Sequence, residues 1–300
     1  MVILNPPAEP HLAIQYLGTD IAFFRMSTFN LKGKPIAATV LGVFAVILIG
    51  LQFFSSMAVW IRQISLKVEH PTDSSFPEFE HLLKAEVKDG RVDYQDAKNS
   101  PLLREAVNKL ETLNPDHIKD PKERLCFWIN AYNLLVIKSI ADRYPLRSIK
   151  QMGNDLHLHK FLVGGTDYSI QDIYLKELSP LLEKEPTACF LICGGALGHP
   201  ELLDHPLQAG SLENEGDEAA KRFIRKPENV TYNINDKMVI LSPWFLWFEP
   251  AFIKKYGSSE NLIASYLDPG RREIFNRVAI ARSFGGKFDW RINKQESVKQ

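Results

Sequence analysis

The chain has 300 residues, 45% of them hydrophobic, which suits one large domain or two small ones and argues against bulk disorder. Lys plus Arg and Asp plus Glu both number 36, so the formal net charge is zero and the chain carries no basic footprint for nucleic acid. Three cysteines with no C-x-x-C pair exclude a disulfide framework and a zinc ribbon.

Residues 1–34 form an N-terminal tail. Residues 35–61, "PIAATVLGVFAVILIGLQFFSSMAVWI", contain no charged side chain. As a helix, the densest part spans about 30 Å, one hydrocarbon core, so a transmembrane helix is expected and the lipid bilayer is an expected partner. Phe53, Phe54 and Trp60 suit the interface. Ser56-Met57-Ala58 resembles a cleavage site, but the long lead and long apolar run favour an uncleaved signal anchor over a signal peptide. Arg25, Lys32 and Lys34 before the helix outnumber Arg62 and Lys67 after it, which predicts a cytoplasmic N-terminus and an extracytoplasmic C-terminal part. On that topology Asn229-Val230-Thr231 is expected to be an accessible glycosylation sequon in a eukaryotic source.

Residues 62–75 read as a linker, and 76–293 as one domain of mixed α and β structure, followed by a tail at 294–300. Apolar spacing predicts a helix over 101–113 with Pro101 at its start. Residues 122–144 predict a second helix, apolar nearly all round and therefore central, stopped by Pro145. The pair His157 and His159 is expected on one face of a strand. Residues 161–169, with Gly164-Gly165 at the middle, predict a hairpin. The short apolar run 188–193, between Pro186 and Gly194, predicts a buried strand. A helix is expected over 215–225, a hairpin over 230–234 and 238–241, and helices near 244–256 and 261–266. "FDWRIN", 288–293, predicts a closing strand or docking segment.

Six stretches occur in order: "VKDGRVDY" (87–94), "CFWINAYNLLVIKSI" (126–140), "YPLRSIK" (144–150), "VGGTDYSIQDI" (163–173), "LSPWFLWFEPAF" (241–252) and "FDWRIN" (288–293). Together they resemble the domain-of-unknown-function family numbered 547, over residues 76–293. The resemblance implies architecture rather than a mechanism, and a membrane anchor or signal peptide ahead of the domain. A likeness to papain-like or transglutaminase-like thiol enzymes is fold-level analogy. The sequence departs from the family where polar residues are expected. The Glu-His that follows Ile falls on Tyr174-Leu175. Aligned through Phe190 and Pro200, the family's two cysteines fall on Gly194 and His199, its serine on Gly198 and its histidine on Cys189, with Cys193 one place off.

Four constellations bear on function. Glu123, Cys126, Asn130, Asn133 and Ile137 share one helical stripe. A buried unpartnered Asn costs about 1–3 kcal/mol, so Asn130 and Asn133 need partners, either a ligand or neighbouring backbone, and the backbone is favoured. Asn130, Tyr132 and Asn133 match the family motif and are the candidate binding residues. Cys193 and His199, in "TACFLICGGALGHPEL" (187–202), are weak candidates for a thiol–imidazole catalytic pair. A core cysteine and a turn histidine are the simpler reading. The glycines of that stretch lack G-x-G-x-x-G and G-K-S/T, so a turn is favoured over a phosphate cradle. His157, His159, His199 and His205 lack ligand spacing, so no metal and no cofactor is expected. The expectation is a membrane-anchored extracytoplasmic domain that binds an unknown ligand or protein through an eroded enzyme-like site. The alternative is a thiol hydrolase or transferase using Cys193 and His199 with Asn130 and Asn133.

Overall fold

A computed structural model describes residues 47, 49–50, 67–233, 235–278, 281–284 and 287–296. The chain divides into two units, and the described residues from 68 onward belong to the second. The expected transmembrane segment, 35–61, lies outside the described residues except at 47, 49 and 50. Among the described residues, no helix is long and apolar enough to cross a membrane.

The second unit has the mixed α and β character read from its sequence. Helix α1 (Pro77–Glu86) starts on Pro77, carries Glu78 and Glu80 in its first turn, and buries Phe79, Leu82 and Leu83. Strands β1 (Val87–Lys88) and β2 (Arg91–Val92) pair antiparallel. Their connection, Asp89-Gly90, has positive φ at both residues (51° and 71°), the conformation that a two-residue hairpin demands and that Asp-Gly tolerates.

Helix α2 (Pro101–Thr112) is the predicted one, burying Leu103, Ala106 and Leu110. Helix α3 (Pro121–Arg143) is the predicted central helix. Asp120 caps it by accepting from the backbone N–H groups of Lys122 and Glu123, and every residue from Leu125 to Ile137 is buried. Beyond it, His157 lies in a helical turn, Asp155–Leu158, with His159 just past its end, so the pair does not share a strand face. That turn holds no β-branched residue, and the strand starts one residue later. Strands β3 (Lys160–Val163) and β4 (Thr166–Ser169) form the predicted hairpin around Gly164 and Gly165. Ser169 and Asp172 then form a reciprocal capping box, and a π-helical turn runs over Ile173–Leu178.

The expected strand at 188–193 is a 3₁₀ helix, Pro186–Leu191, with all six residues buried. A short run buried on every side has no periodicity to read, and Pro186 with its fixed φ begins a helical turn. Helix α4 (Leu212–Arg225) packs on this 3₁₀ helix, three residues longer at its start than predicted. Strands β5 (Val230–Asn233) and β6 (Met238–Leu241) make the predicted hairpin. Helices α5 (Pro243–Trp247), α6 (Glu249–Tyr256) and α7 (Ser259–Tyr266) follow. Helix α8 (Pro269–Val278) and strand β7 (Ala281–Ser283), parallel to β6, were not legible. The Arg-rich start of α8 and the brevity of β7 hide both periods.

Phe190 centres an aromatic cluster, stacking on Phe252 at 5.9 Å and meeting Phe223 and Phe245. Asn229 is 5% exposed and donates its amide N–H to the Phe223 carbonyl (2.9 Å), so the sequon is not accessible in the folded unit. Residues 288–295 are a docking segment, as expected. They bridge to Val92, Ser148 and Ala196, three separate places in the chain.

Candidate functional site

The stripe on α3 resolves first. Glu123 accepts from Ser74 through its backbone N–H (2.9 Å) and hydroxyl (2.7 Å). Cys126 is a buried core thiol whose pKa burial pushes well up. Asn130 donates to the Leu207 carbonyl (3.1 Å) and accepts from the Leu207 N–H (2.9 Å). Asn133 donates to the Leu191 carbonyl (2.9 Å) and accepts from the Cys193 N–H (2.8 Å). Each amide thus clamps a stretch of chain that has no sheet partner of its own. Tyr132 is buried between them in sequence, and burial raises its hydroxyl pKa.

Asn133 therefore holds the start of the Gly-rich turn. The Cys193 thiol is 3% exposed, and burial pushes it up to about 11, against a backbone N–H from Gly195 that lowers it. The Asn293 amide lies 3.4 Å from its sulfur, while the Tyr94 hydroxyl donates to the Asn293 oxygen at 2.6 Å. No hydrogen bond joins the thiol to His199, so the structure brings the two weak candidates into one turn without coupling them.

His199 is not an exposed turn histidine. It is 3% exposed, walled edge-to-face by Phe288 (5.0 Å) and Trp244 (5.3 Å), with Trp247 at 6.3 Å and Trp290 at 6.5 Å. Burial, with His157 nearby, pushes its pKa down to about 3, so the ring is neutral. The Ala196 N–H donates to Nδ1 at 3.1 Å. Nδ1 is then the acceptor and the proton sits on Nε2, which has no partner. Gly194 lies against the same ring: a Cβ there would stand 2.6 Å from Cε1 and Nε2. The two positions at which the family alignment expects cysteines are therefore neighbours in space, filled here by no side chain and by a large one.

His199 lines a cavity of about 460 Å³, within the ~300–1,000 Å³ usual for small-molecule sites. Three of the quoted stretches, far apart in sequence, converge on it: Asp89–Arg91, Ser242, and the segment from Phe288 to Asn293. The sequence reading treated these as packing motifs, so Ser242, Phe288 and Asn293 were missed. Their place in stretches quoted for the resemblance was the available signal. The lining cations are Arg91, Lys226, Lys287 and Arg291, and the lining anions are Asp89, Glu201, Glu228 and Asp289. Three cations are already paired: Arg91 with Glu296 (3.3 Å), Lys226 with Glu201 (2.8 Å) and Arg291 with Asp289 (2.5 Å).

The turn cannot cradle a phosphate with its backbone. The N–H groups of Leu197 and Gly198 donate to the Arg291 and Asp289 carbonyls (2.8 and 2.9 Å), and that of Ala196 is spent on His199. Tyr174 packs edge-to-face on Phe248 and Leu175 is 45% exposed, so the family's Glu-His position offers no acid or imidazole. Among the described residues, no three His, Cys, Asp or Glu side chains gather to hold a metal.

Helix α3, the β3–β4 hairpin, the Gly-rich turn and helix α4 make one continuous stretch of chain. A family model matches it. The model is that of a protein of unknown function, DUF547, and it covers residues 115–224. The DUF547 resemblance thus holds over the helix, both asparagines, Cys193 and His199. No curated protein and no solved structure matches the chain.

Proposed function

We propose that this protein is a ligand-binding domain whose site is the cavity beside His199, and that the DUF547 resemblance extends over residues 76–293. One observation carries the reading: three stretches far apart in sequence converge with His199 on a cavity of about 460 Å³. Asn130, Tyr132 and Asn133 then serve the site by position, since both amides hold backbone that leads into or flanks the turn. Thiol catalysis is the weaker reading. At neutral pH the Cys193 thiol stays protonated and His199 stays uncharged, and neither activates the other.

The test uses full-length protein in lipid nanodiscs. Thermal shifts are recorded with a library of small polar molecules, for wild type and for His199→Phe. Ligands that stabilise wild type are expected to lose most of that effect in the variant. Turnover of any ester, amide or glycosyl substrate that disappears in Cys193→Ala would overturn the proposal in favour of a thiol enzyme. We also propose that residues 35–61 anchor the protein with its C-terminal domain outside the cytoplasm. A reporter fused after Gln300 that is active only in the cytoplasm would refute that topology.

A further inference from the structure

We propose that His205 is a pH-sensitive clasp: its protonated ring ties the loop that leaves the cavity to helix α4, and loss of the proton loosens that tie. The inference stands apart from what occupies the cavity. Residues 201–211 form neither helix nor strand, so side chains must fix their course. Glu201, on the cavity lining, pairs with Lys226 (2.8 Å). Leu207 is buried, with its N–H and carbonyl both held by Asn130. His205 supplies a further hold. Its Nδ1 lies 2.7 Å from Asp204 Oδ1, and its Nε2 lies 3.1 Å from Glu215 Oε2 in the first turn of α4.

Ionised carboxylates only accept, so both ring nitrogens must donate to make both bonds, and only the imidazolium carries two N–H groups. In the neutral ring one nitrogen turns a lone pair towards a carboxylate. One bond is then lost, and the other is no longer assisted by a positive charge. The neighbouring charges are mostly engaged with each other. On α1, Glu80 lies within range of the ring but is paired with Lys84 (2.5 Å), and His81 acts on the same Glu80. On α3, Lys122 is paired with Glu213, the other acid of the first turn of α4, and Glu123 is bonded to Ser74. Partial burial opposes the charge on His205, but Asp204 and Glu215 outweigh it, so its pKa is raised above the ordinary 6.5. The clasp therefore contributes fully below about pH 6.5 and is lost as pH rises through the higher folded value. That sign is opposite to the one for His199, which the fold keeps neutral. The His205 side chain is 45% exposed, so water screens the clasp and its loss opens the loop locally rather than unfolding the domain.

Hydrogen exchange read by mass spectrometry, on full-length protein in phosphatidylcholine nanodiscs, tests the clasp. Protection of residues 201–211, corrected for the intrinsic exchange rate at each pH, is compared with that of the β3–β4 hairpin. In wild type it is expected to fall several-fold between about pH 6 and about pH 8.5, with a midpoint above about 6.5, while the hairpin stays level. His205→Gln and Glu215→Gln should each start from the lower protection and show no such fall, and either serves where the other does not fold. His81→Gln should keep the fall, since that ring acts on Glu80 rather than on the clasp carboxylates. Level protection in wild type, a midpoint below about 6.5, or a fall shared by the hairpin would each overturn the proposal. So would a fall that persists in His205→Gln or Glu215→Gln, or one that disappears in His81→Gln.

Discussion

Asn133 and His199 are buried almost equally, 6% and 3% exposed, and both hold the segment from Leu191 to His199. Their polar atoms are treated differently. Asn133 meets one backbone carbonyl and one backbone N–H, so its burial is offset and it acts as glue. His199 has one partner for two ring nitrogens. In an interior where polar burial without a partner costs about 1–3 kcal/mol, the matched group stabilises the fold and the unmatched one is a cost that the fold carries.

The contrast can be broken most severely at Asn133. Asn133→Ala strands the Leu191 carbonyl and the Cys193 N–H together. The expected loss is about 2–5 kcal/mol, read as a lower denaturant midpoint. A loss below about 1 kcal/mol would mean that the clamp is dispensable. Asn130→Ala should behave alike through Leu207.

Next in size is the packing of the turn against the imidazole. Gly194→Ala puts a Cβ 2.6 Å from the ring, and the overpacking is expected to cost about 1–3 kcal/mol. Combined with His199→Ala, the same substitution should be nearly free. A double-mutant cycle with no coupling would show that the ring is not what Gly194 makes room for.

Acid sharpens the comparison further, because Asn133 does not titrate and His199 does. His199 is neutral in the fold down to about pH 3, whereas the unfolded imidazole takes up a proton near 6.5. The unfolded state therefore binds more protons between those values. Stability contributed by the neutral ring is full above about pH 6.5 and is lost as pH falls towards 3, by up to ~1.4 kcal/mol per unit. His199→Phe should flatten this part of the pH–stability curve, and an unchanged slope would place the acid sensitivity elsewhere. The smallest effect is expected at Arg291, whose side chain is 72% exposed beside Asp289. Arg291→Ala should cost less than about 1 kcal/mol, because water screens the pair.

Local rules were enough for much of this molecule. A Pro at the first turn, an Asp cap and unbroken apolarity mark α3, while Gly164-Gly165 marks the β3–β4 hairpin. These features depend on residues within a few positions of each other, so they are written in local order. The 3₁₀ helix at Pro186–Leu191 was not, because a segment buried on all sides has no exposed face to set a period.

For the candidate site, sequence alone determined which stretches carry polar residues worth weighing: the α3 stripe, the Gly-rich turn and the "FDWRIN" segment. It also determined that net charge is balanced. Only the tertiary structure decided that the asparagines are spent on backbone, that His199 is buried and neutral, and that Asp89, Ser242 and Phe288 meet at one cavity. Whether a polar atom is satisfied, and how far its pKa moves, depends on what lies across space, and those neighbours come from nearly the whole length of the second unit.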